Sequence, residues 1–414
     1  MTDMAGAGPG IAVDKVQAVA LAVCTYYFGV WLKGKVGVLS RYSIPSPVVG
    51  GMSFAIVVSF LEYFNIVKVQ IDSTLQTVLM LGFFTTIGLM ASLRVVKDGG
   101  RLLLGFLLAV TVLVFLQNGM GMAIAEAMGF DKHYGILAGS VSMMGGLGTA
   151  AAFGPYFEET YGITGGTAVA VTAATFGMVA ALLIGGPFGE WCIRRYKVKT
   201  PDEVQQPEPE LHLPDDMDTD ITEQHASAKP NFTNEIMRAV SVTALAMGLG
   251  TIVSNYLGHY ITLPAYIGAM IVATVIRNVG DFSGMYKVEG KGLNAVADIT
   301  LVLFVTMAIN NLKLHELVHL ALPLVVILAC QTILMLIYAW TVLFTAFGRS
   351  YDAVMLSVGG IGFSMGATAN GLANMQAISE KYGSSPRAWL IVSVVGAFLI
   401  DLINAVVITW FGTL

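Results

Sequence analysis

Long apolar segments alternate with short polar ones along the chain. A helix needs about 20 mostly apolar residues to cross the hydrocarbon core of a bilayer, and ten segments meet that requirement. The pattern predicts transmembrane helices over 13–32, 46–64, 74–93, 102–127, 165–190, 236–257, 262–279, 293–311, 318–346 and 388–412. It is typical of an all-α polytopic membrane protein, here with five helices on each side of a polar centre.

Two further apolar stretches, 135–157 and 352–376, are too rich in glycine to be regular spanning helices. Irregular backbone at membrane depth is tolerated only where protein or a water-filled cavity covers it. We therefore predict a re-entrant hairpin in each stretch, which enters and leaves the membrane on one side. The polar centre, 196–235, contains five prolines and many acidic residues, and we predict that it is a solvated linker.

Composition and charge exclude several classes of protein. Hydrophobic residues make up 56% of the chain and charged residues only 12%, whereas soluble domains are about 25% charged. No basic block suggests a nucleic-acid partner. The three cysteines lack the spacing of a disulfide framework or a zinc site. The lipid bilayer is therefore the expected surroundings of the chain.

The distribution of Lys and Arg predicts the orientation, because these residues concentrate in cytoplasmic loops. With the N-terminus outside and both hairpins re-entrant, 18 of the 22 Lys and Arg residues lie inside. The four outside are Lys15, Lys68, Lys132 and Lys313. We expect a multi-pass protein of the inner membrane, with both termini outside and the linker in the cytoplasm.

The two halves of the chain carry short similar motifs in the same order. The matched pairs include 84–87 with 304–307, 116–118 with 330–332, and 145–148 with 359–362. Because each half contains an odd number of spanning helices, the second half must enter the membrane inverted. We predict a first repeat over 1–195, the linker over 196–235 and an inverted second repeat over 236–414. Inverted repeats are typical of secondary transporters, whose sites lie near the midplane beside broken helices.

The glycine-rich turns are the first candidates for such a site, since free carbonyls there can coordinate Na+ and helix N-termini attract anions. The predicted substrate-binding residues are Gly145, Gly146, Leu147, Gly148, Thr149, Gly366, Thr368, Asn370, Asn374 and Gln117. The predicted Na+ ligands are Gly359, Gly360, Ser364, Asp401 and Asn404. An acid as deep in a membrane helix as Asp401 is a functional hypothesis by default. Close helix packing is the alternative role of the glycines.

Several motifs of the chain resemble those of the bacterial sodium/glutamate symporters. They include Tyr42-Ser43-Ile44-Pro45, Phe83-Phe84-Thr85-Thr86-Ile87-Gly88-Leu89, Gln117-Asn118, Ala174-Thr175-Phe176-Gly177, Ala373-Asn374-Met375-Gln376 and Val395-Gly396-Ala397-Phe398, with Asp401 and Asn404. The resemblance covers nearly the whole chain apart from the N-terminus and the linker. It implies Na+-driven uptake of L-glutamate, a homodimer, and elevator-like movement of a transport domain against a scaffold.

The chain departs from that family's pattern at Leu147 and Gly360, where His is common, and at Ala369, where Pro is common. Another small carboxylate or amino acid, coupled to Na+ or H+, therefore remains the alternative cargo. An intramembrane aspartyl protease needs two facing Asp residues, and only Asp401 lies deep. A channel needs selectivity rings or a filter, and none is evident. We expect a transporter rather than an enzyme, with the helices at 13–32, 46–64, 236–257 and 262–279 forming the scaffold and the dimer contact.

Overall fold

A computed structural model describes residues 10–41, 44–64, 66–94, 100–201, 232–257, 264–284, 286, 290–314 and 319–414. Most of the predicted linker, at 202–231, lies outside the described residues. So do Tyr42 and Ser43 of the first family motif. The described chain is almost entirely helical, and two short strands, β1 (Gly10–Val13) and β2 (Lys68–Ile71), form one parallel pair.

The helices of the first half end before the predicted linker. They are α1 (Lys15–Lys35), α2 (Gly37–Arg41), α3 (Ser46–Tyr63), α4 (Thr74–Met90), α5 (Gly100–Ala127), α6 (Lys132–Ile136), α7 (Gly146–Tyr161) and α8 (Gly166–Tyr196). The helices of the second half follow it. They are α9 (Phe232–Leu257), α10 (Ala265–Ser283), α11 (Lys291–Asn310), α12 (Ala321–Ala346), α13 (Tyr351–Ser364), α14 (Thr368–Tyr382) and α15 (Pro386–Gly412).

Eight of the described helices are long and apolar enough to cross a membrane. They are α1, α3, α5, α8, α9, α11, α12 and α15, and each overlaps a predicted span. The span predicted at 74–93 corresponds to α4, an apolar helix of only 17 residues. The span predicted at 262–279 corresponds to α10, a helix of 19 residues. The polytopic helical architecture is therefore confirmed.

Both glycine-rich stretches form helical hairpins. In the first, α6 continues through a π-type segment over Leu137–Val141, where the backbone of Gly139 is non-helical, and the chain turns before α7 begins at Gly146. Stacking of His133 on Tyr161, with ring centroids 4.2 Å apart, brings the outer ends of this hairpin together. In the second, the turn Met365-Gly366-Ala367 joins α13 to α14. At each turn, the C-terminal end of one helical segment therefore lies beside the N-terminal end of the next.

The helices pack as two bundles. The first bundle contains the first three long helices of each half, namely α1, α3, α4, α9, α10 and α11. The second bundle contains α5 to α8 and α12 to α15, including both hairpins. The four helices expected to form a scaffold all belong to the first bundle, and α4 and α11 join them there. Small residues permit this packing: a Cβ on Gly50 of α3 would lie 1.8 Å from the carbonyl oxygen of Thr25 in α1.

An aromatic cluster lies where the two bundles meet. Contacts between them run from α4, α10 and α11 to α7, α8 and α15. Tyr266 of α10 stacks on Phe84 of the same bundle, with centroids 4.6 Å apart. The ring of Phe153, from α7 of the second bundle, meets Tyr266 edge-on at 5.4 Å. The contact between the bundles at this point is therefore apolar and closely packed.

Candidate functional site

The turns of the two hairpins meet inside the second bundle, and glycines make the approach feasible. Gly146 has a φ of +62°, and a Cβ there would lie 2.5 Å from the carbonyl oxygen of Gly366. A Cβ on Gly177 of α8 would lie 2.0 Å from the carbonyl oxygen of Met365. A larger residue at Gly146 would force the two turns apart, and one at Gly177 would push α8 away from the second turn. The structure therefore brings together the two turns that the sequence analysis selected.

The second turn is held by two glutamines from neighbouring helices. Gln117 of α5 donates from Nε2 to the carbonyl oxygen of Ser364, the last residue of α13, at 2.9 Å. Gln331 of α12 donates from Nε2 to the carbonyl oxygen of Gln117 at 2.7 Å. These three residues are buried. The C-terminal end of α13 is thus fixed by a polar chain that runs through α5 to α12.

The first hairpin is held by the residue next to Gln117. Asn118 accepts from the backbone N–H of Ser140 through Oδ1 at 2.9 Å. Asn404 of α15 donates from Nδ2 to the carbonyl oxygen of Ser140 at 3.0 Å. Consecutive residues of α5 therefore reach different hairpins, since the side chains of Gln117 and Asn118 point in different directions around the helix.

Six side-chain atoms of this network are buried without a hydrogen-bond partner. They are Oε1 of Gln117, Nδ2 of Asn118, Oγ of Ser140, Oε1 of Gln331, Oγ of Ser364 and Oδ1 of Asn404. An unpaired buried polar group costs about 1–3 kcal/mol, so several in one network require an explanation. Five of the six are neutral oxygens, the type of ligand that hard cations prefer. Their chemical type, neutral oxygen, is therefore the type of ligand that a small cation would need here.

Asp401 is the one acid close to this network along the chain. It lies three residues before Asn404 on α15, which places both on one face of the helix. Asp401 is partly buried, and its carboxylate has no hydrogen-bond or ion-pair partner among the described residues. It is therefore free to contribute a negative charge to a cation.

Other predicted substrate-binding residues are occupied by protein contacts. Asn370 and Asn374 of α14 donate to the carbonyl oxygens of Met178 and Ala181 in α8, at 2.9 and 3.0 Å. Thr368 donates to the carbonyl oxygen of Gly396 at 2.5 Å. That carbonyl lies in a π-type segment of α15, Val395–Leu399. These side chains tie the second hairpin to its neighbours.

The remaining predicted residues differ in their surroundings. Gly145 packs on the side chain of Thr149, and Leu147 packs partly buried against the core. Gly148 faces Phe83 and Leu301 of the first bundle. Thr149 itself is buried at the start of α7.

The predicted Na+ ligands Gly359 and Gly360 lie within α13. A Cβ on Gly359 would meet Met375 and Val392, and one on Gly360 would meet Leu343. Both glycines therefore provide room for helix packing at these positions.

Three residues of the network were not among the predicted site residues, namely Asn118, Ser140 and Gln331. The similarity between 116–118 and 330–332 is a signal that could have selected Gln331. Ser140 belongs to a motif shared with the family, Leu137-Ala138-Gly139-Ser140, but its role depends on the backbone of a π-type segment. Its contact with Asn404 joins residues 264 positions apart.

Similarity to known proteins identifies the family of this chain. The family model described as sodium/glutamate symporter matches residues 11–384. The sodium/glutamate symporters of Escherichia coli and Shigella flexneri are each 37% identical over 401 residues, which cover 96% of this chain and 96% of each relative. The sodium/glutamate symporter of Haemophilus influenzae is 35% identical over 395 residues, or 94% of this chain and 95% of the relative. The chain therefore belongs to the sodium/glutamate symporter family, whose members are transporters and not enzymes.

Proposed function

We propose that this protein couples the entry of Na+ to the uptake of L-glutamate across the cytoplasmic membrane. The observation that carries the proposal is the set of buried, unpaired oxygens on the side chains that hold the two hairpins. The names of its relatives, all sodium/glutamate symporters, support the same cargo and the same coupling ion.

The ends of the hairpin helices explain how one place can hold two opposite charges. The helices α7 and α14 begin at the turns, and their free N–H groups favour the carboxylates of a substrate. The helix α13 ends at its turn and favours a cation there. Neither hairpin stretch, 135–157 or 352–376, contains Lys or Arg. An anionic substrate therefore depends on a bound cation for charge balance, which is the physical basis of symport.

We assign Na+ to the unpaired oxygens of Gln117, Ser140, Gln331, Ser364 and Asn404, with Asp401 as the charged partner. We assign the substrate to the N-terminal ends of α7, from Gly145 to Thr149, and of α14, from Gly366 to Asn370. Asn374, Gly359 and Gly360 hold the second hairpin in place. Binding of either ion at these adjacent ends favours binding of the other, because their charges are opposite.

The proposed mechanism is elevator-like exchange between two inverted repeats. Both hairpins belong to the second bundle, which would move as the transport domain, and the re-entrant turns would carry the cargo with it. The first bundle would serve as the scaffold and as the contact surface of a homodimer. Its exposed apolar side chains include Tyr27, Val57 and Ile252, which suit lipid or a second copy. The distribution of Lys and Arg is the support for the orientation with both termini outside.

Uptake of labelled L-glutamate by proteoliposomes tests the proposal. We expect accumulation only with an inward Na+ gradient, and competition by unlabelled L-glutamate. Uptake that ignores Na+ and follows a proton gradient would contradict the coupling. Stronger competition by aspartate, citrate or another carboxylate would contradict the cargo, and Leu147 and Gly360 are the positions that would then account for it.

A further inference from the structure

Two exposed arginines approach one tyrosine ring at the end of the second bundle that leads into the linker. The guanidinium carbon of Arg195, near the end of α8, lies 5.8 Å from the ring centroid of Tyr196, and that of Arg349, between α12 and α13, lies 5.5 Å from it. We call these two residues the arginine pair. The helix α13 begins just after Arg349 and is about 20 Å long, at a rise of about 1.5 Å per residue. The pair is therefore far from the hairpin turn at the other end of that helix.

The backbone between α12 and α13 places Arg349 beside the ring. Arg349 has a φ of +53°, which is uncommon for a residue other than glycine, and it follows Gly348 with a φ of +94°. Its N–H donates to the carbonyl oxygen of Phe344 at 3.1 Å, in the π-type last part of α12. The ring itself is fixed by Trp340, which donates from Nε1 to the hydroxyl of Tyr196 at 2.8 Å. The two cations are therefore brought together by the fold.

No described acid compensates the charge of the arginine pair. Neither guanidinium group has a hydrogen-bond or ion-pair partner among the described residues. Glu190, the acid of α8 closest to the pair along the chain, is bound by Arg194 and Lys381. Asp352 of α13 accepts from the hydroxyl of Ser385 at 2.6 Å. Two positive charges at one place, without an acid between them, favour an anion.

Aromatic side chains indicate that the pair lies at the surface of the membrane. The helix α8 has 31 residues and is about 46 Å long, which exceeds the hydrocarbon core of about 30 Å. Trp191 of α8 and Trp340 of α12 are 46% and 42% exposed, and their ring centroids lie 6.4 Å apart. Exposed tryptophans are typical of the boundary between headgroups and acyl chains. Arg195 follows Trp191 by one helical turn, at the level of the headgroups.

We propose that the arginine pair binds the phosphate of an anionic phospholipid, whose acyl chains lie beside Trp191 and Trp340. Guanidinium groups bind phosphate oxygens in pairs of hydrogen bonds, and basic pockets between membrane helices suit lipid headgroups. The acidic segment 202–231 would also neutralise the pair, but it contains no Phe, Trp or Tyr and leaves the tryptophans uncovered. A lipid satisfies the charges and the apolar surface together.

The position of the pair gives the lipid a consequence, and this consequence alone rests on the proposed function. The pair belongs to the second bundle, which moves under that proposal. A lipid that binds this end favours the position that the bundle has in the structure. The composition of the membrane would then influence alternating access.

Thermal unfolding of the purified full-length protein in a nonionic detergent and potassium buffer tests the inference. The additives are phosphatidylglycerol, phosphatidylcholine of the same chain length, and inorganic phosphate. A ligand that binds only the folded state raises the melting temperature. We expect a saturable rise with phosphatidylglycerol and none with the other two additives. Added KCl should weaken the rise, since it screens exposed charges.

Substitutions locate the binding to the arginine pair. Arg349→Met and Arg195→Met should each raise the concentration of phosphatidylglycerol for half of the full rise at least tenfold. Arg349→Lys should have a smaller effect, because lysine keeps the charge and loses the paired hydrogen bonds. Arg387→Met is the matched control: Arg387 is also exposed, in the first turn of α15, and it is predicted on the same side of the membrane.

Several outcomes would overturn the inference. They are equal rises with phosphatidylglycerol and phosphatidylcholine, a rise with inorganic phosphate alone, or equal lipid dependence in Arg349→Met and Arg387→Met. Absence of a lipid effect in the wild type, with a lower melting temperature of Arg349→Met than of Arg387→Met, would assign the pair to an acid of 202–231 instead. Na+-driven uptake of L-glutamate by the wild type is measured separately, so failure of this inference leaves the proposed function standing.

Discussion

Neutral polar atoms, rather than charged side chains, set the chemistry of the hairpin turns at the scale of single residues. Ser364 and Ser357 illustrate the difference within one helix. Both are fully buried in α13, but Ser357 donates to the carbonyl oxygen of Ala353 at 2.7 Å, whereas Oγ of Ser364 has no partner. A hydroxyl that is kept buried and unpaired is better explained by a ligand than by stability.

Ser364→Ala should therefore separate ligand binding from folding. We expect the Na+ concentration for half-maximal uptake to rise about tenfold, which corresponds to about 1.4 kcal/mol, because one candidate ligand is lost. The melting temperature should stay the same or rise, since the variant removes an unpaired buried group. Ser357→Ala, the control, should leave the Na+ dependence unchanged. Equal Na+ dependence in both variants would contradict the assignment of Ser364 to the cation.

The sequence predicted part of this network at the level of residues. Gln117, Ser364 and Asn404 were selected from their depth in apolar segments or their place near a glycine-rich turn. The contacts that Ser140 and Gln331 make join residues 264 and 214 positions apart, and neither was among the predicted site residues. Local pattern carries no information about such pairs. The unpaired state of an atom, which identifies the network, depends on every neighbour at once.

Glycine and asparagine pairs position the hairpins at the scale of helices. Asn374 of α14 donates to the carbonyl oxygen of Ala181 in α8 at 3.0 Å. Gly185, one turn further along α8, leaves room for this amide, because a Cβ there would lie 2.1 Å from Nδ2 of Asn374. The packing of α14 on α8 therefore depends on both residues together.

A double-mutant cycle should measure that dependence. Gly185→Ala should cost about 1–3 kcal/mol of stability, as expected of overpacking, and Asn374→Ala about 1 kcal/mol for a lost hydrogen bond. The double variant should be more stable than the sum of the two losses predicts, since a shorter side chain relieves the clash. Thermal unfolding in detergent checks this. Gly248→Ala, where no atom lies within 4 Å of the added Cβ, should show no loss; strict additivity in the cycle would contradict the contact.

The existence of the helices followed from apolar length alone, but their internal breaks did not. The glycines of 135–157 indicated irregular backbone in that stretch but not its place at Leu137–Val141. The π-type segment over Val395–Leu399 interrupts a stretch of ordinary apolar composition. Both segments form because tertiary partners bind the released backbone groups: Asn118 and Asn404 bind Ser140, and Thr368 binds Gly396. A hydropathy pattern reports the length of a segment and not the partners of its backbone.

The grouping of helices into two bundles is a property of the whole molecule. Each bundle takes corresponding helices from both halves of the chain, which is the arrangement that inverted repeats would produce. Sequence analysis placed α1, α3, α9 and α10 together as a scaffold, but it did not place α4 and α11 with them. Apolar residues lie on all sides of α4 and α11, so the sequence does not indicate which neighbouring helix each side contacts. The packed structure shows this.

Movement of the second bundle against the first is the part of the proposed mechanism that cross-linking can test. In a background without Cys24, Cys192 and Cys330, the pair Phe153→Cys and Tyr266→Cys places thiols in different bundles, where the native rings lie 5.4 Å apart. The matched pair Phe84→Cys and Tyr266→Cys places them within the first bundle, where the rings lie 4.6 Å apart. Both variants lose the same tyrosine, so the loss of packing at Tyr266 is common to them.

A short bifunctional thiol reagent should therefore affect the two variants differently. We expect the cross-link between bundles to reduce Na+-driven uptake at least tenfold, and the cross-link within the first bundle to leave the rate of that variant unchanged. The reason is geometric: alternating access by an elevator requires α7 to slide past α10, whereas α4 and α10 stay together. Full uptake by chains that are cross-linked between the bundles would show that the hairpins deliver their cargo without this movement, and the site would then have to open through a local motion of the turns.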